Sequence, residues 1–186
     1  MEIKDDNPES RLLYLAMQGD KNAFGSLYMH YLDEIYRFVY LKIGDKLVAE
    51  DITEDTFAKT WESLPRIYKK KETIHNLRSW LYRIANNLVI DFYRKRKPIE
   101  NIDFVKPENA PMLEESLVEN ELSDQLARAI RKLSSDFQQI IILRIVNELS
   151  HKEIAPIMNI SEGYSRVLLY RALKKLKRIL QKGRDA

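Results

Sequence analysis

The side chains in this sequence best suited to acid–base chemistry or metal binding are four carboxylates at helical spacing: Glu50, Asp51, Glu54 and Asp55. Either chemistry needs groups that converge on one point, usually with a histidine or a dry pocket. The three histidines are far apart in the sequence, and there is no glycine-rich phosphate loop. We therefore expect no catalytic residue, no metal and no cofactor. We interpret these four residues, the acidic ridge, as a surface that docks another protein; a solvated helix face is the alternative.

Cations and aromatic rings are interleaved along residues 77–97, LRSWLYRIANNLVIDFYRKRK. This combination suits an opened nucleic acid strand, because bases stack on the rings while cations follow the phosphates. Tyr82, Asn87 and Tyr93 can act in this way or pack in the core of an amphipathic helix, and the sequence leaves both interpretations open. For Trp80 we favour the core.

A helix-turn-helix pattern lies near the C-terminus. Ser150 with Glu153 forms a capping box that begins a helix, and Asn159 tolerates the left-handed backbone of a tight turn. Ser161 can cap a second, basic helix. A short helix, a turn and a longer basic helix form the unit that places its second helix in the DNA major groove. A solvated, lysine-rich terminal helix is the alternative.

The elements that position these side chains are predicted to be helices. Apolar residues recur at spacings of three and four, and only five glycines and six prolines interrupt the chain. The pattern predicts a first helical domain over 1–97, in which Pro65 to Asn76 is a basic loop. A flexible acidic linker follows at 98–118, and a second domain with the helix-turn-helix occupies 119–186. The fold class is therefore all-α, with two small domains.

Composition narrows the functional classes. There is no cysteine, so disulfides are excluded and a cytoplasmic location fits. No apolar run approaches the roughly 20 residues of a membrane span, and Met1 to Arg11 has no signal-peptide core, so we expect no membrane insertion. The net charge of +3 conceals two basic blocks, with ten Arg or Lys in 65–97 and eight in 165–184. Two polyanion-binding surfaces are indicated.

Three blocks, in order, resemble the RNA polymerase sigma factors of the small extracytoplasmic-function type. AEDITEDTF at 49–57 is similar to the acidic helix of sigma region two that binds core polymerase. The segment 77–97 resembles the helix that melts the promoter and reads the minus-ten element. LSHKEIAPIMNISEGYSRVLLYRALKKL at 149–176 resembles region four, which reads the minus-thirty-five element. The likeness extends from about Ala23 to Leu180.

This resemblance implies roles for individual residues. The residues that would dock on core polymerase are Glu50, Asp51, Glu54, Asp55 and Phe57. Those that would bind and melt minus-ten DNA are Arg66, Tyr68, Lys69, Lys70, Lys71, Tyr82, Asn87, Tyr93 and Arg94. Those that would contact minus-thirty-five DNA are Tyr164, Arg166, Val167, Leu168, Arg171, Lys174 and Lys175. The implied partners are core RNA polymerase, promoter DNA and an anti-sigma factor.

The chain departs from the family pattern at three places. Glu54 stands where glutamine is usual, and Pro156 lies inside the first helix of the helix-turn-helix. The segment 164–168 reads Tyr-Ser-Arg-Val-Leu where Thr-Val-Lys-Ser-Arg is common. We expect an altered minus-thirty-five preference, with Val167 or Leu168 against a thymine methyl group. We expect Arg166 to read a base and the two lysines at 174 and 175 to bind phosphates.

These observations predict a sigma factor, not an enzyme, that directs core polymerase to promoters. Three other classes compete with it. A stand-alone helix-turn-helix regulator has no use for the acidic ridge or the aromatic-basic helix. A helical enzyme using the 50–55 carboxylates lacks supporting histidines. A helical scaffold would carry the same charge blocks only as solvated faces.

Overall fold

The structure, a computed structural model, describes residues 8–96 and 119–182, and these ranges are built from helices. The α-helices are α1 (Pro8–Met17), α2 (Lys21–Ile43), α3 (Lys46–Lys69), α4 (Leu77–Arg96), α5 (Glu119–Arg131), α6 (Ser135–Ile141), α7 (His151–Met158) and α8 (Glu162–Lys182). A π-helical turn, Ile142–Val146, follows α6. The predicted all-α class is confirmed, while the predicted linker lies outside the described residues.

Local capping chemistry sets the ends of the long helices in the first unit, α1–α4. Asp20 begins α2, because its Oδ1 accepts hydrogen bonds from the backbone N–H of Asn22 at 2.8 Å and of Ala23 at 3.1 Å. Gly44 ends α2 with a left-handed backbone, φ +81°, and donates its N–H to the carbonyl of Tyr40. Asp45 then caps α3. The chain therefore reverses within two residues, and α2 packs against α3.

The predicted basic loop 65–76 is wrong in its first part. α3 continues through Pro65 to Lys69, so the loop is shorter. A proline removes one helix hydrogen bond, and this favours a break. Leu64 and Ile67, on either side of it, are buried in the core, and that packing holds the helix together. Tertiary contacts here outweigh the local preference.

The second unit, α5–α8, contains the predicted helix-turn-helix. Ser150 and Glu153 form the capping box at the start of α7, and Asn159 ends that helix with φ +54°. Ser161 Oγ accepts the backbone N–H of Tyr164 at 3.1 Å and so caps α8. Pro156 lies within α7 without ending it.

The two units pack against each other. α4 contacts α7, and α2 contacts both α5 and the π-helical turn. Buried apolar residues of both units belong to one continuous cluster. Within the described ranges, no helix combines the length and apolar character that crossing a bilayer requires.

Candidate nucleic-acid interface

The acidic ridge lies on the outer face of α3. Its exposed members are Asp51, Glu54 and Asp55, and its fourth carboxylate, Glu50, is half-buried. On the buried face, threonine hydroxyls bond within the helix; Thr56 Oγ1 donates to the carbonyl of Ile52 at 2.7 Å. Because these hydroxyls are satisfied, the inner face can pack in the core while the ridge remains in solvent.

An aromatic groove of about 350 Å³ adjoins the ridge, between α2 and α3. The rings of Phe24 and Trp61 pack at a tilt of 48°, with centroids 4.9 Å apart, and Glu54 also lines the groove. Phe57, predicted to contact a partner, is only 3 % exposed, because its ring packs edge-on against Tyr28 at 4.7 Å. It therefore shapes the groove from within, and the exposed contact surface belongs to its neighbours.

A second cleft, of about 390 Å³, lies between α3 and α4. Its lining combines cations, an amide, an indole and carboxylates: Lys59, Ser63, Arg66, Ile67, Glu72, Trp80, Ile84, Asn87, Leu88 and Asp91. Arg66 and Asn87 come from different helices and both have exposed side chains. The structure thus brings these two predicted residues together at one cleft.

Tyr82 does not contribute to this surface. It is fully buried, its ring packs edge-on against Phe38 at 5.0 Å, and its hydroxyl donates to Glu34 Oε1 at 2.6 Å. Burial and this bond raise the pKa of Tyr82. A ring without exposed area cannot stack on a base, so the prediction that Tyr82 binds DNA is wrong.

The other predicted residues at the end of α4 differ in exposure. Tyr93 is half-buried and donates its hydroxyl to the carbonyl of Lys42 at 2.7 Å, so it ties α4 to the end of α2. Arg94 is exposed and lies 3.0 Å from Asp91, within its own helix. Of these two, Arg94 has the side chain that can follow a phosphate backbone.

The cations beyond α3 are solvent-facing. The exposed lysines are Lys69, Lys70 and Lys71. Lys71 has φ +56° and turns the chain away from the helix. Tyr68 is 37 % exposed and packs edge-on against Tyr14, with centroids 6.1 Å apart. This basic turn follows directly from the helix that carries Arg66 of the cleft.

The outward face of α8 is apolar as well as basic. Tyr164 is 47 % exposed, Val167 45 % and Tyr170 67 %. The exposed cations beside them include Arg171, Lys174 and Lys175. Tyr170 was missed by the sequence analysis, although it lies three residues after Val167 and therefore falls near it on the helix surface.

Two other predicted members of this face are placed differently. Leu168 is only 5 % exposed, because it falls on the arc of α8 that packs in the core with Ala172 and Leu176. The prediction that Leu168 contacts DNA is wrong. Arg166 is exposed but pairs with Glu162 one turn earlier on α8.

A side-chain hydrogen bond joins α7 and α8. His151 Nδ1 lies 2.8 Å from Ser165 Oγ, and Ser165 is fully buried. Burial, with the charges of Arg166 and Arg144, lowers the pKa of His151. This shift favours the neutral imidazole, which bonds to Ser165 without burying a charge.

Comparison with known proteins agrees with this division into two units. Residues 27–99 match the family described as Sigma-70 region 2, and residues 123–176 match Sigma-70, region 4. The chain is 34% identical to the ECF RNA polymerase sigma factor BldN of Streptomyces coelicolor, over 94% of this chain and 68% of that protein. It is 31% identical to the ECF RNA polymerase sigma factor SigW of Bacillus subtilis, over 88% of this chain and 92% of that one.

The chain belongs to the ECF sigma factors of the sigma-70 family. As a sigma factor, it acts in promoter-directed initiation of transcription, and this family is not a family of enzymes. A stand-alone helix-turn-helix regulator is not favoured, because region 2 is present as well as region 4.

Solved structures of low identity support the fold of this sigma factor. CnrH, in complex with the cytosolic domain of CnrY, superposes with a TM-score of 0.72 at 22% identity, covering 95% of this chain and 99% of that one. The sigma factor RpoE of Bartonella quintana, in complex with the anti-sigma factor NepR, gives 0.62 at 23% identity, covering 85% and 96%.

Proposed function

We propose that the first unit binds core RNA polymerase through the acidic ridge and opens minus-ten DNA at the cleft between α3 and α4, while α8 reads the minus-thirty-five element. The cleft carries this proposal. It joins an amide and a cation from two helices, Asn87 and Arg66, beside a half-buried indole, Trp80. The chain supplies no catalytic step itself and works in the cytoplasm, where polymerase and chromosome are found.

Polymerase docking uses charge and shape together. Three exposed carboxylates would attract a basic helix of the polymerase, and the adjoining aromatic groove would take its apolar side chains. The glutamate at position 54 lies at the border of the two surfaces, so it contributes a charge where the family usually has a neutral amide.

During promoter melting, the cleft between α3 and α4 would bind one unstacked base. Extruding a base costs a few kcal/mol, and contacts made only with the flipped base offset this cost. The side chain of Asn87 can bond to base edges, and the indole of Trp80 offers an apolar wall. Nearby exposed cations, Arg94 and the lysines 69–71, would hold the phosphates of the opened strand.

Minus-thirty-five reading combines apolar contacts and phosphate clamps. Val167 and Tyr170 lie at the centre of the exposed face of α8, where they can meet thymine methyl groups. Tyr164 and Arg171 flank them. Arg166 remains our proposed base reader. To act in this way, its guanidinium must leave Glu162 and bond to a guanine. Lys174 and Lys175 lie further along the helix and suit phosphates.

An anti-sigma factor is a further proposed partner. Its support is that RpoE of Bartonella quintana was solved with the anti-sigma factor NepR. A purified candidate should suppress run-off transcription by this chain in proportion to its binding. Binding without suppression would argue against an anti-sigma role.

The experiment that tests the proposed function is run-off transcription with purified core polymerase, followed by permanganate footprinting of unpaired thymines. Asn87→Ala should bind core normally but reduce thymine reactivity at least tenfold. Asp51→Lys should instead lower the affinity for core, and Asp33→Lys, a charge reversal on α2 outside the ridge, is its matched control. A normal footprint from Asn87→Ala would remove the cleft from the melting step.

A further inference from the structure

One exposed aliphatic residue lies in the second half of the basic helix α4. Ile90 is 47 % exposed. The other exposed residues of α4 with described side chains are polar or charged: Arg83, Asn87, Arg94 and Lys95. A single apolar side chain on a protein surface is ordinary in itself. The neighbours of Ile90 on the helix set it apart.

Ile90 belongs to a row of exposed side chains, which we call the α4 crest: Arg83, Asn87, Ile90 and Arg94. The spacings of four, three and four positions keep these residues within about 60° of the helix circumference. The crest is about 17 Å long, which equals roughly five base steps of about 3.4 Å. Cations, an amide and an aliphatic side chain on one helix face are the groups that read a DNA major groove.

Charge separates Ile90 from two more exposed apolar side chains of the first unit. Met29 is 72 % exposed, and no Lys or Arg lies three or four positions from it on α2. Leu47 is 71 % exposed, and the acidic ridge begins three positions after it. Ile90 instead lies between Arg83 and Arg94 of the crest. An anionic polymer is therefore the partner that fits the surface around Ile90.

Two hydrogen bonds to the end of α2 hold Ile90 outward. Asn86 Oδ1 accepts from Lys42 Nζ at 2.6 Å, and the Tyr93 hydroxyl donates to the carbonyl of Lys42 at 2.7 Å. These two contacts lie one turn before and one turn after Ile90. Val89, directly before it, is buried in the core. The rotation of α4 about its axis is therefore fixed, and a base pair would meet Ile90 in one orientation.

Asn87 is shared by the crest and the cleft between α3 and α4. Around the helix axis, Ile84 and Asp91 of the cleft lie on one side of Asn87, and Ile90 lies on the other. Ile90 is also about 4.5 Å further along the axis, a little more than one base step. The inference about Ile90 rests on the proposed opening of minus-ten DNA at this cleft. With an unstacked base in the cleft, the open crest faces the adjoining paired DNA.

The chemistry of Ile90 selects one base. Its side chain has no donor and no acceptor, so it cannot hydrogen-bond to any base edge. It can contact the C5-methyl group of thymine, which a base pair presents in the major groove. Any other base would place polar edge atoms against the aliphatic chain without a hydrogen bond.

We propose that Ile90 reads the methyl group of a thymine in paired DNA, one or two base pairs from the unstacked base. Arg83 and Arg94, at the two ends of the crest, hold phosphates on either side of that pair. The side chain of Arg94 is 76 % exposed beside Asp91, so it can reach a phosphate from its present position. Asn87 thus holds the extruded base, and Ile90 recognises the pair beside it.

The test is a cycle that removes a methyl contact from the DNA, from the protein or from both. Core polymerase carrying this chain is titrated with promoter duplexes that place a thymine at each minus-ten position in turn, on either strand. A matching series has deoxyuridine, which lacks only the C5-methyl group, at the same places. With the wild-type chain, deoxyuridine should weaken binding about fourfold at one position, the loss expected for one buried methyl group. With Ile90→Ala, the same exchange should leave binding unchanged.

Met29→Ala is the matched control, since it shortens an exposed apolar side chain of α2 that has no proposed role. Polymerase carrying this variant should keep the fourfold loss at the same position. Circular dichroism should show the helix content of the wild type in both variants, because neither side chain is buried in the core.

Three results would overturn the proposal. One is a wild-type chain for which no deoxyuridine exchange changes binding. Another is an exchange that weakens binding of Ile90→Ala as much as that of the wild type. The third is a loss of affinity for core polymerase without DNA in Ile90→Ala, together with no dependence on the thymine methyl group; that result would assign Ile90 to a protein interface.

The proposed role of the cleft is tested separately by the footprint of Asn87→Ala. A normal footprint together with a successful thymine cycle would remove Asn87 from melting and keep Ile90 as a base reader. A defective footprint together with a failed cycle would keep the cleft and remove Ile90. The two proposals can therefore fail independently.

Discussion

The helices α4 and α8 are similar in composition, but their tyrosines differ in whether they face the core or the solvent. Both are basic, about twenty residues long and carry two tyrosines. In α4, Tyr82 is buried and Tyr93 is half-buried with its hydroxyl bonded to α2. In α8, Tyr164 and Tyr170 face solvent. The comparison shows that interleaved rings and cations do not make a stacking surface; the angular position of each ring on its helix decides.

The cause lies in what fills the buried arc of each helix. In α4, the arc contains the aliphatic residues Leu77, Leu81 and Val89 and the small residues Ser79 and Ala85. Tyr82 lies on the same arc, where it packs against Phe38 of α2 and bonds to Glu34. In α8, leucines and alanine fill the arc, so its rings lie outside it. An aromatic residue in a basic helix is therefore a candidate for nucleic-acid binding only when its own position lies outside the buried arc.

The largest expected effect is on stability, and it tests whether Tyr82 is a core residue while Tyr170 is not. Tyr82→Ala should lower the free energy of unfolding by about 3–5 kcal/mol, since it leaves a large cavity and a half-buried Glu34 without one of its donors. Tyr170→Ala, at the exposed counterpart on α8, should change it by less than about 0.5 kcal/mol. Urea unfolding monitored by circular dichroism measures both. A Tyr82→Ala chain of normal stability that fails to melt promoters would restore the stacking role.

A smaller effect should come from the buried cation beneath α4. Burial lowers the pKa of Lys42 to about 8, with Asp136 partly opposing it, whereas the unfolded chain keeps a value near 10.5. The unfolded state therefore binds more protons between about pH 8 and 10, and stability should rise across that window. Lys42→Met should remove this rise and increase the free energy of unfolding at pH 7 by about 1–2 kcal/mol. The gain is smaller than the free energy that corresponds to the full pKa shift, because Asn86 loses its donor.

The control for this variant is Lys46→Met, since Lys46 is exposed at the start of α3. It should leave both the stability at pH 7 and the pH profile as they are in the wild type. If the free energy of unfolding still rises between pH 8 and 10 in Lys42→Met, groups other than Lys42 cause the rise.

The smallest expected effect is on DNA binding by α8, and it separates residues that bind phosphates from residues that read bases. Lys174→Ala should lower the salt slope of minus-thirty-five duplex binding by about one unit, equally for all sequences, because a phosphate contact releases one counterion. Tyr170→Ala should instead alter the preference among base substitutions. Lys132→Ala, at an exposed lysine in the turn that follows α5, should do neither. A change of preferred sequence in Lys174→Ala would move this lysine from the phosphates to the bases.

Features governed by neighbouring residues were predictable from the sequence. The capping box at Ser150 and the left-handed Asn159 both follow from local backbone chemistry, and the structure confirms them. The resemblance to sigma regions two and four was also carried by contiguous residues. These signals need no knowledge of the rest of the fold.

Features that depend on distant contacts were not predictable. Pro65 was expected to end α3, but the burial of Leu64 and Ile67 overrides it. The inward direction of Leu168 depends on how α8 packs on α6. Asn147 donates a hydrogen bond to the backbone carbonyl of Glu34, 113 positions away in the chain, and no periodicity indicates such a partner.

The π-helical turn Ile142–Val146 has a consequence for how chain length can change in this sigma factor. It closes a wider ring than the α-helix, as the bond from Asn147 N to the carbonyl of Ile142 at 3.0 Å shows. The turn thus takes up one surplus residue directly before the loop that leads to α7. Deleting a single residue there would make the bond between Asn147 and Ile142 an ordinary α-helical one. A one-codon deletion at the exposed Ile145 would therefore be absorbed by the turn and leave Asn147 beside Glu34, whereas a deletion inside an α-helix rotates everything after it by about 100°.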